Sequence, residues 1–64
     1  MKTFEVIEKN GDSSKVEAEM YRARDEKLVF FVNNTSVYQY DKDTVDKVIE
    51  EDPSGGKPTV TKIS

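Results

Sequence analysis

The chain lacks the residue types on which most small enzymes and metal-binding domains depend. Its 64 residues include no cysteine and no histidine. A disulfide framework and a thiolate metal site are therefore excluded, and the commonest metal ligand and neutral-pH acid–base group is missing as well. The sequence also contains neither a phosphate-binding glycine loop nor a Gly-x-Ser-x-Gly motif. We therefore expect a protein that is not an enzyme and that uses no metal and no cofactor.

Long apolar runs and a strong excess of one charge are missing too. The longest apolar run is the five residues 28–32, whereas a membrane-spanning helix needs about 20. No signal-peptide-like segment follows Met1-Lys2, so we expect a cytoplasmic protein that does not bind a membrane. The 13 acidic and 10 basic residues are interspersed and give a net charge of −3, which argues against nucleic-acid binding. Size and composition suit a bacterial or phage accessory protein.

The apolar run predicts the central strand of the fold. Valine and phenylalanine pack well on a pleated surface, and five residues are too few for a helix. Asn33-Asn34 follows, and asparagine tolerates positive φ, so a hairpin to residues 36–40 is expected. The turn is centred either on Asn33-Asn34 or one residue later. Side chains alternate along a strand, and both placements therefore give the same two faces.

Both faces of this hairpin are predicted to be apolar, whereas a half-exposed hairpin normally has one polar face. One face is made of Leu28, Phe30, Val32 and Val37, and the other of Val29, Phe31, Tyr38 and Tyr40. A small barrel fills its interior from one face only, so the second face is left over. We predict that this second face binds a partner, because aromatic side chains are enriched in the centres of protein interfaces.

Residues 14–26 are compatible with two structures. Val16, Ala18 and Met20 recur at every second position, which predicts a strand, with a bulge near Met20-Tyr21 where the alternation reverses. The alternative is a helix, because Ser14 and Glu17 fit a capping box. We prefer the strand. Residues 3–9 predict another strand, and Asn10-Gly11-Asp12 predicts a turn after it.

The C-terminal third is less regular. Val45, Val48 and Ile49 fit either one helical turn or a short 3₁₀ turn followed by a last strand. Pro53 ends either element. We expect a single small β domain over residues 1–52, then a Pro/Gly-rich linker and a short β-prone tail over residues 53–64. The tail is either frayed or adds a strand to a sheet edge.

The order of these elements resembles that of small SH3-like barrels over about residues 3–50. The apolar positions that carry the resemblance are Val16, Ala18, Leu28, Phe30, Val37, Val45 and Val48. The predicted fold class is therefore all-β, a small SH3-like partly open barrel of about five antiparallel strands. The alternative is an α+β fold with a helix at residues 14–26 over a three- to four-stranded sheet. The resemblance is one of pattern and brings no functional residue with it.

These observations predict a non-catalytic protein-interaction module that acts through its aromatic sheet face. The partner is another protein or a second copy of the chain. The alternative function is nucleic-acid binding by a small barrel, or an acidic protein that mimics nucleic acid and inhibits its binders. The net charge of −3 is small for a mimic, which needs a stronger field of one sign.

Overall fold

The computed structural model describes residues 1–63, and these residues form an all-β fold, as predicted. Seven strands and one short 3₁₀ turn follow one another along them: β1 (Lys2–Glu8), β2 (Ser13–Ala18), β3 (Met20–Arg24), β4 (Lys27–Val32), β5 (Thr35–Asp41), the 3₁₀ turn (Lys42–Thr44), β6 (Val45–Glu50) and β7 (Thr59–Lys62). The α+β alternative is wrong, because residues 14–26 contribute β2, β3 and the start of the turn into β4.

The strands of residues 1–63 form two antiparallel sheets rather than one closed barrel. The four-stranded sheet has the order β2-β1-β6-β7, and the three-stranded sheet has the order β3-β4-β5. The chain leaves the first sheet at Glu19, the single residue between β2 and β3, and returns through the 3₁₀ turn. The sequence predicted about five strands; division at Glu19 and the addition of β7 make seven.

The core lies between the two sheets and is entirely apolar among the described residues. Every second residue of β1, β2 and the first part of β4 points inward, as the pleat of a strand requires. In β6 a register shift against β1, between Ile7 and Glu8, lets Val45 and Val48 both point inward although they are three positions apart. The buried residues are Phe4, Val6, Val16, Ala18, Leu28, Phe30, Val45 and Val48.

Aromatic rings connect the two sheets across this core. The ring centroids of Phe4 in β1 and Phe30 in β4 are 5.4 Å apart in an edge-to-face arrangement. Tyr21 packs edge-on against Phe4 at 5.4 Å, and Tyr40 packs against Phe30 at 6.0 Å. Such pairs contribute roughly 0.5–1.5 kcal/mol each beyond the area they bury. Phe4 is therefore the ring that joins the two sheets most extensively, since it contacts both Tyr21 and Phe30 of the other sheet.

The hairpin between β4 and β5 turns at Asn33-Asn34, and the alternative placement one residue later is wrong. Both asparagines have positive φ, 51° and 62°, as a two-residue type I′ turn requires. Asn33 also donates its backbone N–H to the Glu19 carboxylate at 2.7 Å. This hydrogen bond fixes the turn against the corner where the chain changes sheets.

A β-bulge in this hairpin overturns the predicted grouping of its side chains. Next to the turn Val32 lies opposite Thr35 and Phe31 opposite Ser36. Phe30 then lies opposite Tyr38, so Val37 is an extra residue on β5. An extra residue reverses the alternation beyond it. Tyr38 and Tyr40 therefore share the side of Phe30 and Leu28, not that of Val29 and Phe31. Val37, predicted to face the core, is 44% exposed.

The segment 53–64 contains an ordered strand over its described part. β7 pairs antiparallel with β6, with Val60 opposite Ile49, which is the edge-strand interpretation of the tail; Ser64 lies outside the described residues. All four residues of β7 are exposed. Beyond it, Ile63 donates its N–H to the Asp46 carbonyl at 2.9 Å and packs against the core. β7 is thus fixed by backbone pairing and by one apolar anchor.

Asp52 closes the loop that leads into β7, and its removal is expected to loosen that strand. Its carboxylate accepts hydrogen bonds from the Ser54 hydroxyl at 2.7 Å and from the Ser54 backbone N–H at 2.9 Å. These bonds, the hydroxyl first, hold the pKa of Asp52 below its ordinary value of 3.8. The Thr61 and Ile63 amides point toward β6, and Ile63 donates to the Asp46 carbonyl. In Asp52→Ala we expect hydrogen exchange of these two amides to accelerate a few-fold, without change in β1.

The same interaction has a defined pH dependence. Because the folded pKa of Asp52 is depressed, its contribution is complete above the ordinary pKa of 3.8 and is lost as the pH falls through the lowered value. The difference in β7 amide protection between Asp52→Ala and the parent chain should therefore vanish at a pH below the lowered pKa of Asp52. If the β7 amides exchange equally fast in both proteins at neutral pH, the Asp52 loop does not position β7.

Candidate binding site on the three-stranded sheet

The outer face of the three-stranded sheet carries an apolar centre. Leu28 and Phe30 of β4 point into the core, so Val29 and Phe31 point outward, and both are half-buried. On β3, Met20 lies directly opposite Phe31 and is 39% exposed. Residues directly opposite on neighbouring antiparallel strands have side chains in contact range. Met20, Val29 and Phe31 thus form one continuous apolar patch.

Basic side chains surround this patch. Arg22 lies opposite Val29, and Arg24 lies opposite Lys27. Both arginines are exposed. The basic face is defined here as Met20, Arg22, Arg24, Lys27, Val29 and Phe31.

One carboxylate also lies on this side of the sheet. Lys27 Nζ contacts Asp41 Oδ1 at 2.6 Å, and this hydrogen bond, followed by the charge of Asp41, raises the pKa of Lys27. Asp41 thereby neutralises Lys27 and leaves both arginines without a carboxylate among the described ion pairs.

The charge of the basic face has the opposite sign to that of the whole chain. Its three cations and the Asp41 carboxylate give a formal +2, and the chain carries −3. The remaining residues therefore carry −5, the difference between −3 and +2. The interspersed charges of the sequence are thus partly segregated in the fold. A surface of this kind attracts an acidic partner locally while the rest of the molecule repels it.

An open depression lies at one end of the basic face. It has a volume of about 200 Å³ and is lined by Met20, Arg22, Arg24, Phe31 and Asn34. Small-molecule sites are usually enclosed clefts of roughly 300–1,000 Å³. This depression is smaller and open, so its shape suits one side chain of a docked macromolecule rather than a whole small ligand.

The structure separates the four residues that the sequence placed on one face. Val29 and Phe31 lie on the basic face. Tyr40 lies on the inner side, half-buried against Phe30. Tyr38 lies opposite Phe30 at the outer strand of the sheet and is 47% exposed. The prediction that all four residues share one face is wrong, because the bulge at Val37 turns the two tyrosines to the opposite side.

The predicted partner-binding residues did not include Met20, Arg22 and Arg24. The signal was present in the reversed alternation of residues 14–24. Val16 and Ala18 point inward from β2, whereas Tyr21 points inward from β3, opposite Phe30. The single residue Glu19 between the strands causes this reversal. Once Tyr21 is assigned to the core side, the even-numbered residues of β3 must be outward.

The outer face of the four-stranded sheet has a different character. Its apolar residues Ile7, Ile49 and Val60 stand among carboxylates and ammonium groups in similar number, by the alternation and register of the strands. Lys15 pairs with Glu51 at 2.9 Å, and this hydrogen bond raises the pKa of Lys15. A polyanion mimic needs acidic groups in a field of one sign; these carboxylates are mixed with cations.

Two further properties of the described residues bear on the class of protein. Residues 1–63 contain no cluster of three acidic or other metal-ligating side chains that could enclose an ion. They also contain no helix with the length and apolarity needed to cross a bilayer. No protein-family model matches the chain, and comparisons with curated proteins and with solved structures find no significant match.

Proposed function

We propose that the protein is a non-catalytic protein-interaction module whose basic face docks an acidic segment of another protein. The observation that carries this proposal is the cross-strand arrangement of Phe31 beside Met20 and of Val29 beside Arg22. It combines an apolar centre with flanking cations. Aromatic, methionine and arginine side chains are the types enriched at interfaces. A segment that presents an apolar side chain together with carboxylates on one of its faces would satisfy both parts.

A second copy of the chain is a poor occupant of the basic face. In a two-fold dimer through this face, each patch would meet the same patch. Arg22 and Arg24 of one copy would then lie near the identical arginines of the other. Like charges brought together at an interface cost several kcal/mol. The proposal therefore assigns this face to a partner of opposite charge.

The proposal includes a finer description of the fold as an SH3-like, partly open barrel. It is supported by treating β2 and β3 as one strand that bends at Glu19. The strands then follow one another in the order β6, β1, bent β2–β3, β4, β5, with a 3₁₀ turn before β6.

We also propose that the protein acts in the cytoplasm, which is consistent with the absence of cysteine.

Single-stranded nucleic acid is the second candidate ligand of the same face. Phe31 could stack on a base while Arg22 and Arg24 contact phosphates, as in other sheet-face binders. The basic face favours this hypothesis more than the sequence did. Against it stands the −5 carried by the other residues, which repels the phosphate backbone beyond the immediate contact. We therefore rank it below an acidic protein segment.

Titration with three labelled probes tests the proposed function. The first is a peptide pool of Glu and apolar residues in random order, the second has Lys in place of Glu, and the third is a short single-stranded oligonucleotide. Fluorescence anisotropy should detect binding of the Glu pool only. Phe31→Ser should weaken that binding about tenfold, the effect of losing an interface anchor.

Ile49→Ser is the matched control. Ile49 is likewise half-buried and outward-facing, but it lies on the other sheet. The Ile49→Ser variant should bind the Glu pool with the affinity of the parent chain. Stronger binding of the oligonucleotide than of the Glu pool, reduced by salt, would assign the face to nucleic acid instead. Equal losses in Phe31→Ser and Ile49→Ser would show that neither substitution reports on a specific face.

A further inference from the structure

The two sheets of residues 1–63 have four outer strands, of which two carry charges along their length and a third is only four residues long. β2 contains Lys15 and Glu17, β3 contains Arg22 and Arg24, and the short β7 ends in Lys62. Charged side chains on an outer strand discourage pairing with another chain, and so does a very short outer strand. These three edges are therefore protected in the usual way.

The edge of β5 is different. Its first six residues, 35–40, are uncharged and include no proline, and residues 35–39 are all exposed. The strand's one charged residue, Asp41, is paired with Lys27. Apart from the ladder to β4, no backbone hydrogen bond of residues 35–40 is formed within the described part of the chain. Val37 and Tyr38 add exposed apolar surface at the middle of this edge.

We propose that the edge of β5 pairs antiparallel with the β5 edge of a second copy of the chain. The two three-stranded sheets then form one continuous six-stranded sheet around a two-fold axis. Pairing centred between Val37 and Tyr38 places the Val37 side chain of each copy against Tyr38 of the other. Main-chain hydrogen bonds supply most of the attraction in this mode of association, and the exposed side chains set its register.

The charges of β5 favour a second copy as the occupant of this edge. An antiparallel strand pair is compatible with two-fold symmetry, so one sequence can serve as both halves of the interface. In this register Asp41 lies opposite Asn34 of the other copy. The two Asp41 carboxylates are then about 23 Å apart, seven residues at roughly 3.3 Å each, which exceeds the Debye length at physiological salt. No like charges therefore meet.

The bulge at Val37 limits this association without abolishing it. Bulges twist an outer strand and interrupt its pairing, and they are one of the devices that restrain open edges. We therefore expect reversible dimers rather than extended fibres.

The pairing also has a consequence for the basic face. A two-fold axis perpendicular to the sheet leaves both basic faces on the same side, so a dimer would present two docking surfaces to one partner.

Val37→Lys tests the pairing, and Val60→Lys is its matched control. Both valines are exposed, at 44% and 56%, and both lie on outer strands. Light scattering across a hundredfold dilution should show a reversible change between one and two chain masses for the parent and for Val60→Lys. Val37→Lys should weaken dimerisation at least about tenfold, because its two ammonium groups would lie on adjacent positions of the paired edge.

Two further measurements keep the proposal testable if Val37→Lys does not fold. In the parent chain, amide exchange of residues 35–40 should slow as concentration rises, while exchange at the β2 edge should not. Deleting Val37 should strengthen association. Tyr38 already lies opposite Phe30, so the shortened strand pairs regularly with β4 and no other side chain of β5 changes face. A single-chain mass at every concentration, or equal effects of Val37→Lys and Val60→Lys, would overturn the pairing while leaving the basic-face proposal intact.

Discussion

Replacing Phe30 with alanine is expected to remove most of the free energy of unfolding. The side chain is fully buried, and its ring contacts those of Phe4, Tyr21 and Tyr40. Truncation of a buried phenylalanine costs about 3–5 kcal/mol. A chain of this length buries only about 60% of its unfolded surface and is expected to lie at the low end of the usual stability range of roughly 5–15 kcal/mol. Urea denaturation followed by circular dichroism measures the loss.

The neighbouring residue provides the matched comparison. Phe31→Ala changes the same side chain one position along the same strand, but Phe31 points outward and is only half-buried. We expect it to cost about 1 kcal/mol, in proportion to its smaller buried apolar area, and to leave the fold intact. If Phe31→Ala destabilises the chain as much as Phe30→Ala does, Phe31 belongs to the core and the basic face loses its centre.

This pair of phenylalanines explains how structural and binding roles are divided in so short a chain. A strand in the middle of a two-sheet fold has one face against the core and one toward the solvent. β4 is apolar on both. The inward residues hold the two sheets together, and the outward residues lie among the cations of β3. The apolar excess predicted for the central hairpin is therefore real, but it is located on β3 and β4 rather than on β4 and β5.

The composition and alternation of the sequence were sufficient to predict the all-β class, a hairpin turn at Asn33-Asn34 or one residue later, and most of the core. These features depend on local properties: the preference of valine and phenylalanine for strands, the tolerance of asparagine for positive φ, and the period of two. The helix alternative at residues 14–26 failed because a capping box is a weak signal beside three apolar residues at alternating positions, Val16, Ala18 and Met20.

The position of the bulge could not be predicted in the same way. An extra residue in β5 is fixed by the packing of Tyr40 against Phe30 and by the path of the chain into the 3₁₀ turn, neither of which is a local property. The sequence shows only that Val37, Tyr38 and Tyr40 cannot all alternate regularly into one core. One misplaced residue then reverses every side chain beyond it, which is why half of the predicted binding residues were assigned to the wrong side.

The turn at Asn33-Asn34 therefore determines more than the length of the hairpin. Changing it should have the second-largest effect on the free energy of unfolding. Both residues adopt positive φ, which costs an ordinary L-residue about 1–2 kcal/mol and is least tolerated by β-branched side chains. Replacing both by valine should lower the free energy of unfolding by about 2–4 kcal/mol, because neither valine tolerates the turn conformation. Urea denaturation with two-state analysis measures this loss.

Asn34→Gly is the control, because it is expected not to lower the free energy of unfolding. Asn-Gly is a favoured pair for a type I′ turn, and the glycine has no side chain to oppose positive φ, so this variant should be at least as stable as the parent. In the double valine variant, a surviving fold would have to move the turn along the chain. Phe31 would then change its partner on β5, and amide resonances across β4 and β5 would shift together. Unchanged stability and unchanged resonances would mean that the packing of Phe30 and Tyr40, and not the asparagine pair, sets the register that turns Phe31 outward.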